Sequence, residues 1–331
     1  MRVLILGGGG MLGRKLVDYL IKSSNLTGKE IAAITSADAF ANSNGAISET
    51  IAINHVVADI TDMQSCRQLV KSKPDLIYHL ASVVSGEAEA NFEKGYQVNL
   101  DGTRNLFEAI REISDGYRPR VVYTSSAAVF GPPYPEVIED DFILQPTTSY
   151  GTQKVIGELL LNDYSRKGFL DGVGLRLPTI CVRPGKPNAA ASGVFSNIIR
   201  EPLSGQSAVL SVSRDTRMIF TSPKSAIGFL VHAATIDTSA LGNRRCLTMP
   251  GVNATIADEI DSLRRIAGDD VVALIKEEFD PAAQKIVDNW NFPPVAATRA
   301  KALGFTCESN FDELIKSHID HELGGKILGG K

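Results

Sequence analysis

Of the eight tyrosines in the chain, Tyr150 alone has a lysine four residues later, in Tyr150-Gly151-Thr152-Gln153-Lys154. On a helix, that spacing puts both side chains on one face. A phenol titrates near ~10, so moving its proton at neutral pH requires help, and a neighbouring ammonium stabilises the phenolate. A tenfold change in proton affinity corresponds to ~1.4 kcal/mol. The chemistry on offer is proton transfer to or from a hydroxyl or carbonyl oxygen. Upstream, Thr124-Ser125-Ser126-Ala127-Ala128-Val129-Phe130-Gly131 supplies hydroxyls that could orient such an oxygen.

A second constellation stands at the N-terminus, where Gly7, Gly10 and Gly13 form G-x-x-G-x-x-G between an apolar run and a helical pattern. Glycines there let the backbone approach a pyrophosphate lying on the helix N-terminus. Asp38 follows Gly13 by 25 residues, near the distance at which a carboxylate holds a ribose 2′-OH. No Arg or Lys occurs in residues 37–47, which favours NAD over NADP. Asp59 can be read as a partner for the adenine amino group or as a plain helix N-cap.

These residues need a scaffold, and the pattern around them is regular. Short apolar runs at residues 2–6, 31–34, 55–58, 76–80 and 120–123 alternate with helical periodicities such as residues 99–113. Thr147, Thr148 and Ser149 are suited to cap a helix that carries Tyr150 and Lys154. The alternation predicts a Rossmann-type α/β fold, a doubly wound parallel sheet covered on both faces. Residues 1–172 read as the dinucleotide-binding domain. Residues 173–331 read mostly as a smaller substrate-binding region, interleaved with the last strands of the sheet. Within it a strand is expected over residues 173–180, a long loop over 178–202, and helices over 257–267, 282–290 and 310–318.

With 331 residues, Lys+Arg 34 against Asp+Glu 38 and a net charge of -4, the chain is not composed as a nucleic-acid binder. Cys66, Cys181, Cys246 and Cys307 are far apart with no C-x-x-C, so neither a zinc site nor a redox pair is expected. The first apolar run is too short for a signal peptide, and no stretch reaches the ~20 apolar residues of a membrane span. A cytoplasmic protein is expected, with no membrane partner.

Taken together, Gly7-x-x-Gly10-x-x-Gly13, Asp59-Ile60, His79-Leu80-Ala81-Ser82, Asn99-x-x-Gly102-Thr103, Ser125-Ser126-Ala-Ala-Val-Phe-Gly131 and Tyr150-x-x-x-Lys154 resemble the extended short-chain dehydrogenases/reductases, in family order. This superfamily includes nucleotide-sugar epimerases. The resemblance implies Tyr150 as acid/base, Lys154 on the nicotinamide ribose and the tyrosine, Ser126 on the reacting oxygen and Asn99 in support. It also implies a cofactor lining that includes Met11, Leu12, Ile60, Leu80, Ala81, Ser82 and Pro178, a closing helix over 297–305, and a homodimer formed through the helices of residues 99–113 and 150–163.

One segment departs from the epimerases. Where they commonly carry Arg-x-x-Asn-x-Tyr-Gly-Pro, this chain has Arg176-Leu-Pro178-Thr179-Ile180-Cys-Val-Arg183-Pro184-Gly185. The stretch from Lys186 through Leu203 is similar instead to the D-erythronate dehydrogenase branch. That implies NAD-dependent oxidation of the C2 hydroxyl of a four-carbon sugar acid to a 2-oxo acid. An acid end needs a cation, for which Arg183 is the first candidate and Arg217 the second, with Asn188 as a further substrate residue. A nucleotide-sugar epimerase or dehydratase is the alternative, and a non-catalytic NAD(H) sensor a distant one.

Overall fold

The computed structural model describes the chain except for residues 27, 42–44, 186–192, 289–290 and 329–331. Asn188 therefore lies outside the described residues. The chain divides into two compact units, each discontinuous in sequence: residues 1–129, 149–176 and 227–247 form the first, and 130–148, 177–226 and 248–331 the second.

Seven strands, β1 (Arg2–Leu6), β2 (Ala33–Asp38), β3 (Ala52–Val57), β4 (Leu76–His79), β5 (Arg120–Ser126), β6 (Asp171–Leu177) and β7 (Cys246–Thr248), form one sheet in the order β7-β6-β5-β4-β1-β2-β3. The pairs β3/β2, β2/β1, β1/β4 and β4/β5 are parallel. Strand order reverses between β1 and β4, and ligands of open α/β sheets bind beyond the strand ends at such a reversal. The strand cores are apolar without alternation, Val3 to Leu6 all being buried, because helices cover the sheet. Helices α1 (Met11–Ser23), α2 (Met63–Val70), α3 (Gly102–Arg111) and α4 (Ser149–Arg166) supply that cover. Leu16, Val17 and Leu20 of α1 and Leu106, Phe107 and Ile110 of α3 are buried at helical spacing.

Several local expectations are corrected. The helix expected over 99–113 is preceded by a π-helical turn, Tyr96–Asp101, and α3 begins only at Gly102. Asp59 is not the cap of α2. Asp62 is, accepting from the Gln64 and Ser65 amides, while Asp59 Oδ1 accepts from Thr61 N at 2.9 Å. The Ser149 amide, at the start of α4, donates to Glu89 Oε2 at 2.9 Å.

In the second unit the strand expected over 173–180 is divided at Pro178 into β6 and Thr179–Ile180. Thr179–Ile180 joins Arg217–Thr221 and Val252–Thr255 in a small sheet. The loop expected over 178–202 ends early, because α5 (Gly193–Leu203) is a helix with Pro202 in its last turn. Phe195, Ile198, Ile199 and Leu203 of α5 are fully buried, and this apolar face outweighs the Gly, Ser, Asn and Pro around it. Helices α6 (Ile256–Ala267) and α7 (Phe311–Glu322) pack together, α6 opening with a Thr255/Asp258 capping box. The closing helix expected over 297–305 is only five residues long, Thr298–Ala302.

Candidate active site

The glycine turn fills the space between the end of β1 and α1. Gly7 has φ +80, and a Cβ there would stand 2.8 Å from Ala81 N and 2.9 Å from Leu80 C. The turn is thus pressed against the segment Leu80-Ala81-Ser82 that leaves β4. A Cβ on Gly13 would overlap the Gly7 carbonyl, and one on Gly8 the Ser36 hydroxyl. Gly10 is the N-cap of α1 and offers no side chain, so no side-chain hydrogen bond closes that helix end. Half-buried Met11 and Leu12 form its first turn.

Asp38 closes β2 next to this turn. Its Oδ2 accepts from Gly9 N at 2.9 Å and its Oδ1 from Phe40 N at 3.2 Å. Ile60 is buried at the end of β3, where a Cβ on Gly102 would meet its Cγ1 at 2.6 Å, and its carbonyl accepts from Asn105 Nδ2 at 3.1 Å. A cradle that any Cβ would fill, an uncapped helix N-terminus and an adjacent carboxylate are the features that fit a dinucleotide: pyrophosphate over the turn, ribose on Asp38.

Tyr150, Lys154, Ser126, Ser82 and Asn99 all belong to this first unit. The side chains of Ser82 and Ser126 act on the Tyr150 phenol, each favouring its ionised form. Lys154 is buried, donates to the Thr124 carbonyl at 2.9 Å, and lies 5.5 Å from the Tyr150 ring centre and 5.2 Å from that of Tyr123. Asn99 does not reach outward. Its Oδ1 accepts from Ser82 Oγ at 2.8 Å and Val83 N at 2.9 Å, and its Nδ2 donates to Gln153 Oε1 at 2.8 Å. It therefore ties the segment after β4 to the helix that carries Tyr150.

Burial governs the titration of this group. It pushes the Tyr150 phenol up to about 12, against the opposing influence of the Ser82 and Ser126 side chains. It pulls Lys154 down to about 7, against the Glu158 carboxylate. In the protein alone, then, the ammonium does not bring the phenol below its ordinary value, contrary to the sequence expectation. Desolvation of a charge in the interior outweighs one neighbour.

The sequence reading missed Ser82 as a residue that acts on the phenol, and it missed Gln153 and Glu158. Glu158 is buried with Arg176 forked onto it, from Nη2 at 2.8 Å and Nε at 3.0 Å, and Ser125 Oγ donating at 2.6 Å. The spacing Tyr150-x-x-x-Lys154-x-x-x-Glu158 was the available signal.

The other candidates lie in the second unit. Pro178 is buried and touches the position of Gly251. Arg183 is held by its backbone, its amide donating to Ser196 Oγ at 3.0 Å and its carbonyl accepting from Arg200 at 2.8 Å. Burial disfavours its charge, and nearby Arg200 adds to that. Arg217 opens its strand, with Nη1 on Asn253 Oδ1 at 2.9 Å. Among the described residues no group of His, Cys, Asp and Glu could hold a metal, and no helix is long and apolar enough to cross a membrane.

The geometry is matched by the comparisons. The profile of the NAD dependent epimerase/dehydratase family matches residues 3–233. A D-erythronate dehydrogenase of Cupriavidus necator is 45% identical over 326 residues, 97% of this chain and 98% of the relative. One from Haemophilus influenzae is 37% identical over 98% of this chain and 100% of its own length. A solved nucleoside-diphosphate-sugar epimerase from Agrobacterium tumefaciens superposes with a TM-score of 0.95 at 52% identity, covering 99% of this chain and 96% of that one. An L-threonine dehydrogenase from Clostridium difficile, at 23% identity and TM-score 0.84 over 98% of each chain, shares the fold. With the glycine cradle, Asp38 and the Ser126/Tyr150/Lys154 group in family order, the chain belongs to the NAD dependent epimerase/dehydratase family and is an NAD-dependent dehydrogenase of the extended short-chain dehydrogenase/reductase type.

Proposed function

We propose that this enzyme oxidises the C2 hydroxyl of D-erythronate to 2-oxo-tetronate. The observation that carries the chemistry is the buried Lys154 ammonium, anchored on the Thr124 carbonyl and 5.5 Å from the Tyr150 ring centre one helical turn away. The substrate is argued from the two D-erythronate dehydrogenases that match nearly the whole chain.

Gly7, Gly10, Met11, Leu12 and Gly13 would hold the pyrophosphate, Asp38 the adenosine ribose and Asp59 the adenine side, with Leu80, Ala81 and Pro178 lining the cofactor. NAD supplies the two-electron acceptor when bound. Tyr150, ionised beforehand, then takes the proton of the C2 hydroxyl and returns to the neutral phenol while Ser126 fixes the oxygen. Lys154 supplies the compensating positive charge as the phenol ionises. Asn99 keeps Ser82 and the helix of Tyr150 in register through its hydrogen bonds to Ser82, Val83 and Gln153.

For the acid end we favour Arg183 over Arg217. A guanidinium that burial has partly desolvated gains from an anion. On this reading residues 173–331 supply most of the substrate contacts. The enzyme would act as a cytoplasmic homodimer through the helices of residues 99–113 and 150–163. Leu159, 61% exposed on α4, gives that helix an apolar outer position.

The deciding experiment is a screen of C2-hydroxy sugar acids with NAD, following NADH absorbance. Turnover of D-erythronate supports the reading. No turnover with any sugar acid, together with interconversion of a nucleoside-diphosphate sugar without net NADH, would replace it with the activity named for the Agrobacterium structure.

A further inference from the structure

We propose that Glu158 is a positioning residue for this proton transfer: one turn along the helix from Lys154, it keeps that lysine charged, and is itself held by Arg176 and Ser125. The proposal rests on the function proposed above. Tyr150, Lys154 and Glu158 follow one another at four-residue intervals along α4, a single stripe facing the sheet. Lys154 and Glu158 are both about 2% exposed, so neither is screened by water.

A buried lysine with no carboxylate beside it sheds its proton, because the interior penalises the charged form. The groups facing Lys154 are Tyr150 and Glu158 from its own helix, Tyr123 and the Thr124 carbonyl from β5, and His79 from β4. Burial holds His79 neutral, its value falling to about 3, and Tyr123 is kept protonated. Glu158 is the carboxylate in this set.

Glu158 is itself held from the far side. Arg176 Nη2 and Nε donate to it at 2.8 and 3.0 Å and Ser125 Oγ at 2.6 Å, so three donors fix the carboxyl group in place. Ser125 precedes Ser126, whose side chain acts on the Tyr150 phenol. Glu158 thus braces the base from two directions, through Lys154 along the helix and through Ser125 along β5.

The test is a titration of Lys154 itself. Protein labelled with 13C-lysine gives a Cε resonance assigned by its loss in Lys154→Arg, and its midpoint is followed with pH in wild type and in Glu158→Gln. Removing the carboxylate charge is expected to lower the Lys154 proton affinity at least about tenfold, moving the midpoint down by about one in pH. Because Glu158→Gln leaves Arg176 uncompensated in the interior, it can fail to fold. The double variant Glu158→Gln/Arg176→Met removes both charges and is expected to displace the midpoint in the same direction by less, because the guanidinium no longer repels the ammonium. The pH profile of acid oxidation should move with the midpoint in either variant.

Three results overturn the proposal: a wild-type midpoint below pH ~6, a variant midpoint within ~0.3 in pH of wild type, or a uniform loss of kcat with an unmoved pH profile. The titration needs no substrate, so it decides this proposal even if the screen of sugar acids shows no turnover and the proposed activity falls.

Discussion

The Lys154 ammonium lies 5.5 Å from the centre of the Tyr150 ring, one turn along α4, and donates to the Thr124 carbonyl at 2.9 Å. The charge is near the phenol yet anchored to the sheet, so the tyrosine can lose its proton without the lysine moving. Tyr150→Phe keeps the ring and its packing and removes only the proton carrier. We expect kcat/KM for sugar-acid oxidation to fall at least ~100-fold, with NAD affinity measured by calorimetry nearly unchanged. Wild-type oxidation should quicken as pH rises toward the Lys154 value of about 7 and fall off above it, because the phenol, pushed up to about 12, must give up its proton while the ammonium keeps its own. Activity above ~1% of wild type in the phenylalanine variant would remove Tyr150 from the chemistry.

Asp38 faces the glycine turn through its bond to Gly9 N. A carboxylate there accepts from ribose hydroxyls and repels a 2′-phosphate. Asp38→Ala is expected to erode the ratio of kcat/KM for NAD over NADP by at least ~10-fold, on the order of 1.4 kcal/mol. If the ratio is unchanged, the aspartate serves only the turn.

Arg183→Ala is expected to lower kcat/KM for D-erythronate by at least ~30-fold, because losing one partner of a desolvated ion pair costs ~2 to 5 kcal/mol. Lysine at this position should recover only part, since the planar fork is lost. NAD binding should hardly change. Near wild-type efficiency in the alanine variant would pass the role to Arg217.

Glu259 of α6 gives a prediction about stability. It is fully buried, neither carboxyl oxygen has a hydrogen-bond partner among the described residues, and burial holds its carboxyl well above the usual range. The folded chain therefore keeps this proton to higher pH than the unfolded chain. Its contribution is complete below the unfolded value of ~4.3 and is lost as pH rises toward the folded value, at most ~1.4 kcal/mol per pH unit. Glu259→Gln removes the titration. Melting measured from pH 4.5 to 8.5 should show the variant gaining on wild type as pH rises, and parallel curves would contradict this.

Much of the candidate site was legible because its chemistry demands fixed spacing. A glycine cradle must sit in one turn, and Tyr150 and Lys154 must share a helix face, so both are local patterns. Glu158 carries the same spacing but means little until Arg176 and Ser125, distant in sequence, are seen around it. The effect of Lys154 on Tyr150 could not be read from spacing, because burial, which decides it, is a property of the packed chain. In the fold, parallel strands announced themselves as apolar runs. Helix α5 did not, since Gly193, Ser196, Asn197 and Pro202 favour loops one at a time while Phe195, Ile198, Ile199 and Leu203 act together. Asp59 and Asp62 are equally good caps by residue type, and only backbone geometry chose between them.

The chain passes from one compact unit to the other five times, after residues 129, 148, 176, 226 and 247. No single cut yields both parts whole. A fragment ending at residue 176 would lack β7 and leave β6 as an unprotected sheet edge, prone to pair with other chains. Truncation is therefore expected to give aggregation in place of a free-standing nucleotide-binding half. The same connectivity sets how new specificities can be built on this scaffold: by altering segments 130–148, 177–226 and 248–331 in place, with no exchange of one contiguous module for another.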